Sequence, residues 1–206
     1  IYSNFPSFEV RRFNKLAAVD LIRFTAGGVS RIELARRLGL TRAAITAIVN
    51  DLLRIGLVKE ISGRHHGGRK PIVLEINAGR GKVLGVDIGA SHVLAVVADF
   101  SGRVLAEKEI SFDIQIDPVA GLQQVDELIE ALLRQAGTAK AEILSMGVGM
   151  PGPVNQKDGT VIKPSIMPLW EGYPIRAYFE KRWNIPIDLS NDAELGALGE
   201  WAFGAG

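Results

Sequence analysis

Cysteine is absent from the 206 residues of this chain. The chain therefore forms no disulfide and supplies no thiolate ligand to zinc, which fits a reducing cytoplasm. No apolar run approaches the roughly 20 residues that span a bilayer. No charged start followed by an apolar core and a cleavage site occurs near the N-terminus. We expect a cytoplasmic globular protein that has no membrane partner.

The net charge of +1 conceals a basic part and an acidic part. Residues 1–80 carry 14 Lys and Arg against 6 Asp and Glu, a net charge of +8. Residues 81–206 carry 10 against 17, a net charge of −7. This asymmetry is typical of a nucleic-acid reader fused to another domain. A chance surplus of surface cations is the alternative.

Three helices are predicted in the basic part. The first covers residues 12–27 and stops at Gly27-Gly28. Its predicted inner face consists of Phe13, Leu16, Ala17, Leu21 and Phe24. The second opens with Ser30 and Glu33, a capping box in which each side chain binds a free backbone N–H. Its inner face is Leu34, Ala35 and Leu38, and Gly39 supplies the left-handed residue after it.

Thr41 is expected to cap a third helix, whose inner stripe is Ile45, Ile48, Val49, Leu52 and Leu53. The outer face near its start consists of Arg42, Ala43, Thr46, Ala47 and Asn50. Small and hydrogen-bonding residues at the start of the second of two short helices indicate a helix-turn-helix. Such a helix can enter a major groove, where side chains reach phosphates and base edges. A plain three-helix bundle is the alternative.

The strand-like runs "LVKEIS" and "PIVLEI" bracket "GRHHGGRK", which predicts a hairpin with a basic tip and hence a winged helix. Adjacent histidines without further ligands indicate a solvated turn, so no metal site is predicted. The predicted contacts to a double-stranded DNA operator are Arg31, Arg42, Ala43, Thr46, Asn50, Arg64, His65, Arg69 and Lys70.

The acidic part begins with three predicted strands near 83–88, 92–99 and 104–112. Asp117-Pro118 then starts a helix with Leu122, Val125, Leu128, Ile129 and Leu132 facing inward. A strand in "ILSMGVGMPGPV", a helix from Pro174 to Trp183, a strand in "IPIDLSND" and a final helix follow. This order indicates a ribonuclease-H-like α/β domain. The predicted domains are residues 1–78 and 79–206.

The winged helix, "GGRKPIVLEIN", "GVDIGASH", "MGVGMPGPV", "KPSIMPLWEG" and "NDAELGALGEWAFGAG" stand in one order along the chain. In this the chain resembles the transcription-regulator branch of the ROK family (repressors, open reading frames and kinases). The resemblance implies an α+β winged helix followed by the first lobe of an actin/hexokinase-like domain. The chain starts on Ile1 and stops at Gly206 after a helix, and we interpret it as a fragment.

In the family's kinases the first motif reads D-I-G-G-T-K and approaches nucleotide phosphate through a glycine-rich turn. Here the turn is Asp87, Gly89, Ala90 and Ser91, followed by His92. The Cβ of Ala90 crowds the turn. His92 stands in the place of the family's lysine, and the cation is lost if His92 is neutral. We interpret it as a vestigial phosphate loop, with a plain turn favoured over phosphate binding.

By resemblance, Gly149, Ser165, Asn191 and Asp192 are the sugar-binding residues. No catalytic residue is expected in a regulator, whereas Asp192 would be the general base of a kinase. Capping of the following helix is the other interpretation of Asn191 and Asp192. Trp170 is expected to pack beneath the cleft rather than close it.

The resemblance implies a DNA-binding regulator of sugar-utilisation genes, a repressor in the first place, that senses a sugar or sugar phosphate. Paired half-sites imply a homodimer or higher homo-oligomer. An ATP-dependent sugar kinase with a fused DNA-binding domain is the alternative, and an RNA- or protein-binding adaptor is a third. No cofactor is expected within this fragment, while a structural zinc and a second phosphate motif would lie beyond Gly206.

Overall fold

The computed structural model describes residues 7–63 and 71–203. The chain divides into two compact units, residues 1–80 and residues 81–206. We call them the helical unit and the sheet unit. Within the two described ranges, every helix is either too short or too polar to cross a bilayer.

The helical unit contains three helices followed by an antiparallel hairpin. Its elements are α1 (Ser7–Arg23), α2 (Arg31–Leu38), α3 (Arg42–Arg54), β1 (Val58–Ser62) and β2 (Ile72–Ile76). The hairpin pairs Val58 with Ile76 and Ser62 with Ile72. This order and pairing confirm the predicted winged helix-turn-helix. The predicted hairpin tip, including Arg64, His65, Arg69 and Lys70, lies outside the described residues.

Short polar side chains start α2 and α3 as predicted. Ser30 Oγ accepts a hydrogen bond from the Glu33 N–H at 3.2 Å, and Thr41 Oγ1 accepts from the Ala44 N–H at 3.2 Å. Gly39 ends α2 with a φ of 63°, in the left-handed region. The second half of the predicted capping box was wrong: the Glu33 carboxylate accepts from Arg36 and Arg37. Charge-assisted bonds of this kind are stronger than a bond to a neutral backbone N–H.

The predicted inner face of α1 was wrong at Phe13, Leu16 and Phe24, whereas Leu21 packs against the core. Phe13 is 72% exposed, and Leu16 and Phe24 are exposed as well, while Ala18 and Ile22 are buried. The helix also ends at Arg23 instead of reaching Gly27. Apolar residues surround α1 on several sides, so periodicity alone does not reveal which side packs.

The predicted inner stripes of α2 and α3 are confirmed. The buried residues of this core are Ile22, Val29, Leu34, Ala35, Ile45, Val49, Leu52, Val58 and Leu74. Leu38, Ile48 and Leu53 pack against it and are partly buried. One side of α3 therefore fixes the helix in the unit, and the opposite side is left to solvent.

The sheet unit is a five-stranded mixed sheet with helices. Its elements are β3 (Lys82–Ile88), β4 (His92–Asp99), β5 (Val104–Ser111), α4 (Pro118–Gln135), β6 (Ile143–Met150), β7 (Val154–Asn155), β8 (Thr160–Val161), α5 (Ile175–Trp183), β9 (Ile187–Asn191) and α6 (Asp192–Phe203). The strand order is β5-β4-β3-β6-β9. The β3–β4 and β4–β5 pairs are antiparallel, and the β3–β6 and β6–β9 pairs are parallel. This topology confirms the predicted first lobe of an actin/hexokinase-like domain.

Helix α4 begins as predicted, because Asp117 Oδ1 accepts from the N–H groups of Val119 and Ala120. Its predicted inward residues, from Leu122 to Leu132, are buried in the core of the sheet unit. The parallel strands β3, β6 and β9 all end at one side of the sheet. In open α/β sheets that side holds the ligand.

Candidate functional sites

The outer side of α3 forms a continuous exposed surface, which we call the recognition face. It consists of Arg42, Ala43, Thr46, Ala47 and Asn50. Each of these five side chains is exposed, as the sequence predicted. Two of the five residues are alanines, whose small side chains add little bulk to the helix. A helix with small side chains on its exposed side fits the major groove of DNA.

Two polar groups of the recognition face make hydrogen bonds inside the unit. The Thr46 hydroxyl donates to the Arg42 carbonyl oxygen at 2.8 Å, so its proton is engaged by the helix itself. Asn50 Oδ1 accepts from Arg31 Nη1 at 3.1 Å. The Thr46 hydroxyl proton and the Asn50 amide oxygen are therefore already engaged, and the face offers fewer polar groups outward than its side chains contain.

Arg31 lies beside the recognition face at the start of α2. Its Nη2 forms an ion pair with Glu60 Oε1 of β1 at 2.9 Å, while its Nη1 donates to Asn50. Both charged side chains remain partly exposed. Arg31 was predicted as a DNA contact, and in this structure it links α2, α3 and β1.

Sequence reasoning missed the basic residues of α1 as neighbours of the recognition face. Arg11, Arg12 and Lys15 line a cavity of about 450 Å³ together with Ala44 and Ala47 of α3. Lys15 Nζ pairs with Asp51 of α3 at 3.0 Å. The excess of Lys and Arg in residues 1–80 was the available signal. Because the packed side of α1 was mispredicted, the position of these cations next to α3 could not be inferred.

At the carboxyl ends of β3, β6 and β9 the structure brings together residues from three separate motifs. Asp87 pairs in register with Gly149, and Asn191 lies opposite Met150. A Cβ added at Gly149 would lie 3.0 Å from Asp87 Oδ1, which shows how close the two positions are. We call this group of Asp87, Gly149, Asn191 and Asp192 the sheet edge.

Two carboxylates shape the electrostatics of the sheet edge. Burial raises the pKa of the Asp87 carboxyl above its ordinary value, and the charge of Asp192 raises it further. His92 offsets part of this rise. Asp87 keeps an exposed surface, although the strand ends around its carboxyl exclude part of the solvent. Neighbouring carboxylates of this kind accept hydrogen bonds from the hydroxyl groups of a ligand.

The amide nitrogen and the amide oxygen of Asn191 both form hydrogen bonds with backbone groups. Its Nδ2 donates to the Gly152 carbonyl oxygen at 2.9 Å, and its Oδ1 accepts from the N–H groups of Ala193 and Glu194. It therefore caps α6 and ties the loop after β6 to the end of β9. Asp192 is exposed, and its Oδ1 accepts from the Ala193 N–H at 2.8 Å.

The turn from Gly89 to His92 is a closed hairpin corner. The Gly89 N–H donates to the His92 carbonyl oxygen at 2.9 Å, and the carbonyls of Ala90 and Ser91 accept from the N–H groups of Ile114 and Phe112 in the loop that follows β5. A Cβ at Gly89 would contact His92 at 3.2 Å. The Gly89 N–H is thus engaged within the turn, and the interpretation of Asp87, Gly89, Ala90 and Ser91 as a vestigial phosphate loop stays a prediction.

Ser165 lies in the loop between β8 and α5 and is exposed. The residue before it, Pro164, approaches Gly152, which accepts from Asn191. Trp170 of the same loop is fully buried, and its Nε1 donates to the Ile116 carbonyl oxygen at 3.1 Å. Trp170 thus packs in the core of the sheet unit, as expected, and its place beneath a ligand cleft stays a prediction.

The helical unit has an exposed helix, α3, followed by a hairpin. The sheet unit has a mixed sheet with carboxylates at the ends of its parallel strands. Together these features define the class of protein. The protein is a winged-helix protein that carries the first lobe of an actin/hexokinase-like fold. The model of the ROK family matches residues 83–206. A model described as winged helix-turn-helix DNA-binding matches residues 25–59. The chain belongs to the ROK family.

Individual relatives agree with this assignment. The xylose repressor of Caldicellulosiruptor bescii is 30% identical over 95% of this chain and 49% of its own length. A crystal structure of a ROK family transcriptional regulator, a homolog of the E. coli MLC protein, shares the fold. It has a TM-score of 0.73 and 24% identity, and the match covers 94% of this chain and 49% of that one.

A glucokinase of the same family, from Streptomyces griseus in complex with glucose and AMPPNP, is also similar. It is 27% identical with a TM-score of 0.53, and the match covers 61% of this chain and 38% of that one. The chain spans about half the length of the xylose repressor that it matches.

Proposed function

We propose that this chain is part of a sequence-specific transcription regulator, a repressor of sugar-utilisation genes. The recognition face of α3 enters the major groove, and the hairpin of β1 and β2 contacts the adjacent backbone. The observation that carries the proposal is the exposed recognition face, with Arg11, Arg12 and Lys15 of α1 beside it. A xylose repressor among the similar proteins supports the direction of control.

The ligand of the sheet edge is a sugar or sugar phosphate. Asp192 accepts hydrogen bonds from sugar hydroxyls, and Gly149, which has no side chain, leaves room for the neighbouring Asp87 carboxylate. Asn191 positions the loop after β6, since its amide binds the Gly152 carbonyl. Pro164, the neighbour of Ser165, lies close to Gly152. Sugars present many hydroxyl donors, and carboxylates are acceptors when ionised.

Ligand binding changes DNA affinity only if the ligand prefers one of two conformations of the protein. We propose a homodimer in which two recognition faces read two half-sites, as the symmetry of paired sites requires. The ligand changes the spacing of these two faces. It thereby lowers or raises the affinity for the operator.

Selection of bound fragments from randomised duplex DNA tests the proposed DNA recognition. The full chain should enrich a two-fold symmetric sequence, and its affinity should fall steeply with salt because phosphate contacts release counterions. Enrichment of no sequence, or equal affinity for every duplex, would contradict the proposal.

An active sugar kinase is the second candidate, because Asp87 and Asp192 are both retained at the sheet edge and a glucokinase is similar. In that function Asp192 accepts the proton of the attacking hydroxyl. A coupled assay of ATP consumption with a panel of pentoses and hexoses decides between the two. Turnover that is lost in Asp192→Asn would establish the kinase and overturn a purely regulatory role.

A further inference from the structure

Arg31, Asn50 and Glu60 form a hydrogen-bonded chain across three elements of the helical unit. Glu60 of β1 holds one nitrogen of Arg31 at 2.9 Å, and the other nitrogen donates to Asn50 Oδ1 at 3.1 Å. The partners are 29 and 19 residues apart in the sequence. The guanidinium thus bridges the hairpin and the recognition face.

The chemistry of arginine fixes the orientation of the Asn50 amide. A guanidinium has only donors, so the Asn50 atom that faces it must be the oxygen. The Nδ2 group consequently points away from Arg31, and Asn50 is an exposed side chain. Asn50 therefore presents two N–H donors outward, with its oxygen engaged inside the unit.

The neighbours of Asn50 on the recognition face supply no competing hydroxyl donor. Thr46, one turn earlier, donates its proton to the Arg42 carbonyl. Ala43 and Ala47 on the same face have no polar group. Among the uncharged side chains of the recognition face, outward-facing donation at this part of the described helix comes from the Asn50 amide.

A donor pair distinguishes among base edges in the major groove. Guanine presents two adjacent acceptors, N7 and O6, whereas adenine presents an acceptor beside an N–H₂ donor. An asparagine reads adenine by using its oxygen and its nitrogen together. With the oxygen engaged by Arg31, that two-armed reading of adenine is disfavoured.

We propose that Asn50 reads a guanine in each half-site, and that Arg31 and Glu60 are positioning residues that set this preference. The inference rests on the proposed DNA-binding function and names the base chemistry of that same face. Glu60 has a second consequence, because its negative charge occupies Arg31 and keeps that cation from the DNA backbone.

Selection from randomised duplexes with the full chain tests this inference, using Asn50→Ala, Asn50→Asp and Arg31→Ala. Asn50→Ala should abolish the base preference at one position, or column, of the aligned selected sequences, with a loss of guanine preference on the order of tenfold. Asn50→Asp exchanges donors for acceptors and should favour cytosine at that column. Arg31→Ala frees the amide to rotate, so adenine should rise there.

Arg36→Ala is the matched control, since Arg36 is also an α2 arginine paired with a glutamate but has its partner within the same helix. It should leave every column unchanged. Surface ion pairs contribute little to stability, so we expect each variant to remain folded. Thermal unfolding of each variant checks this.

The outcomes separate this inference from the function on which it rests. A wild-type chain that selects no sequence contradicts both. If the wild type selects a site and Asn50→Ala leaves all columns unchanged, or lowers affinity equally for all sequences, this inference alone is overturned. An adenine preference in the wild type at the column that Asn50→Ala flattens also overturns it.

Discussion

The helical unit and the sheet unit use asparagine in opposite ways. Asn50 of the helical unit has its oxygen engaged by a side chain and directs its donors to solvent. Asn191 of the sheet unit gives its nitrogen and its oxygen to backbone groups, and so it shapes the loop beside it. A polar residue at a functional site acts directly or by positioning, and its hydrogen-bond partners show which.

The carboxylates of the two units also differ, because their pKa values shift in opposite directions. Arg36 and Arg37 hold the pKa of Glu33 at about 2, well below its ordinary value. Burial and the Asp192 charge raise the pKa of Asp87. In the helical unit acidic residues neutralise cations, whereas at the sheet edge they stand close to one another. The second arrangement is typical of a ligand site.

Asp192→Asn tests the sheet edge with the largest expected effect. The change removes a charged acceptor of sugar hydroxyls, and hydrogen bonds to charged groups contribute about 1.5–3 kcal/mol. We expect sugar affinity to fall by at least tenfold while operator affinity without sugar is unchanged. Isothermal titration with sugars and gel shifts with the operator measure the two quantities.

Asp188→Asn is the control for that variant, because Asp188 is an exposed carboxylate of the preceding strand β9, outside the sheet edge. It should bind sugar as the wild type does. Equal losses in both variants would show that the negative charge of this region matters and that Asp192 has no specific contact with the sugar.

Arg42→Ala tests the recognition face through the salt dependence of binding. If Arg42 contacts a phosphate, the slope of log affinity against log salt should decrease by about 1, and affinity should fall alike for all sequences. Arg103→Ala removes the same charge from an exposed turn of the sheet unit. A slope that changes equally in both variants would contradict the assignment of DNA binding to the helical unit.

Gly149→Ala and Gly147→Ala compare two glycines of β6. At Gly149 a new Cβ would lie 3.0 Å from Asp87 Oδ1 and 3.2 Å from Leu195 Cδ1, while at Gly147 it would meet no atom within 4 Å. We expect Gly149→Ala to lower the free energy of unfolding of the sheet unit by about 1–3 kcal/mol. Gly147→Ala should be tolerated. Denaturant titrations that rank the two in the reverse order would refute the described packing of the sheet edge.

Opposite pKa shifts predict opposite effects of pH in the two units. A raised pKa means that Asp87 favours folding only at low pH, and that this contribution disappears as pH rises through the folded pKa. Asp87→Asn should therefore stabilise the sheet unit at neutral pH, with the difference closing below about pH 4. Thermal unfolding at several pH values measures it.

Glu33→Gln is the counterpart in the helical unit. The lowered pKa of Glu33 gives a contribution that is present above its ordinary value of 4.5 and is lost as pH falls toward 2. The variant should be slightly less stable than the wild type at neutral pH. The same sign of effect in both variants would contradict the contrast between the units.

Local patterns predicted much of the fold. The caps at Ser30 and Thr41, the buried stripe of α3 and the start of α4 at Asp117 all follow from short-range rules. The inner face of α1 did not, because its apolar residues form more than one stripe. The packing of α2 and β2 against α1 decides between the stripes, and that packing is not a local property.

The sequence predicted which residues belong to the two sites, but it did not predict the hydrogen bonds that connect them to other residues. Motif order placed Asp87, Gly149 and Asp192 on strand ends that the fold then brings together. The bonds from Arg31 to Asn50 and Glu60, and from Asn191 to Gly152, join residues 19 to 39 positions apart. No periodicity in the sequence indicates such pairs.

The affinity of the full chain for its selected operator, measured by fluorescence anisotropy with and without sugars, tests the central claim most directly. A panel of pentoses, hexoses and their phosphates should contain one compound that changes this affinity by about 5- to 150-fold, the usual range of coupling between two sites. Asp192→Asn should abolish that change. An operator affinity that no sugar alters, together with ATP-dependent phosphorylation of one of them, would contradict the account.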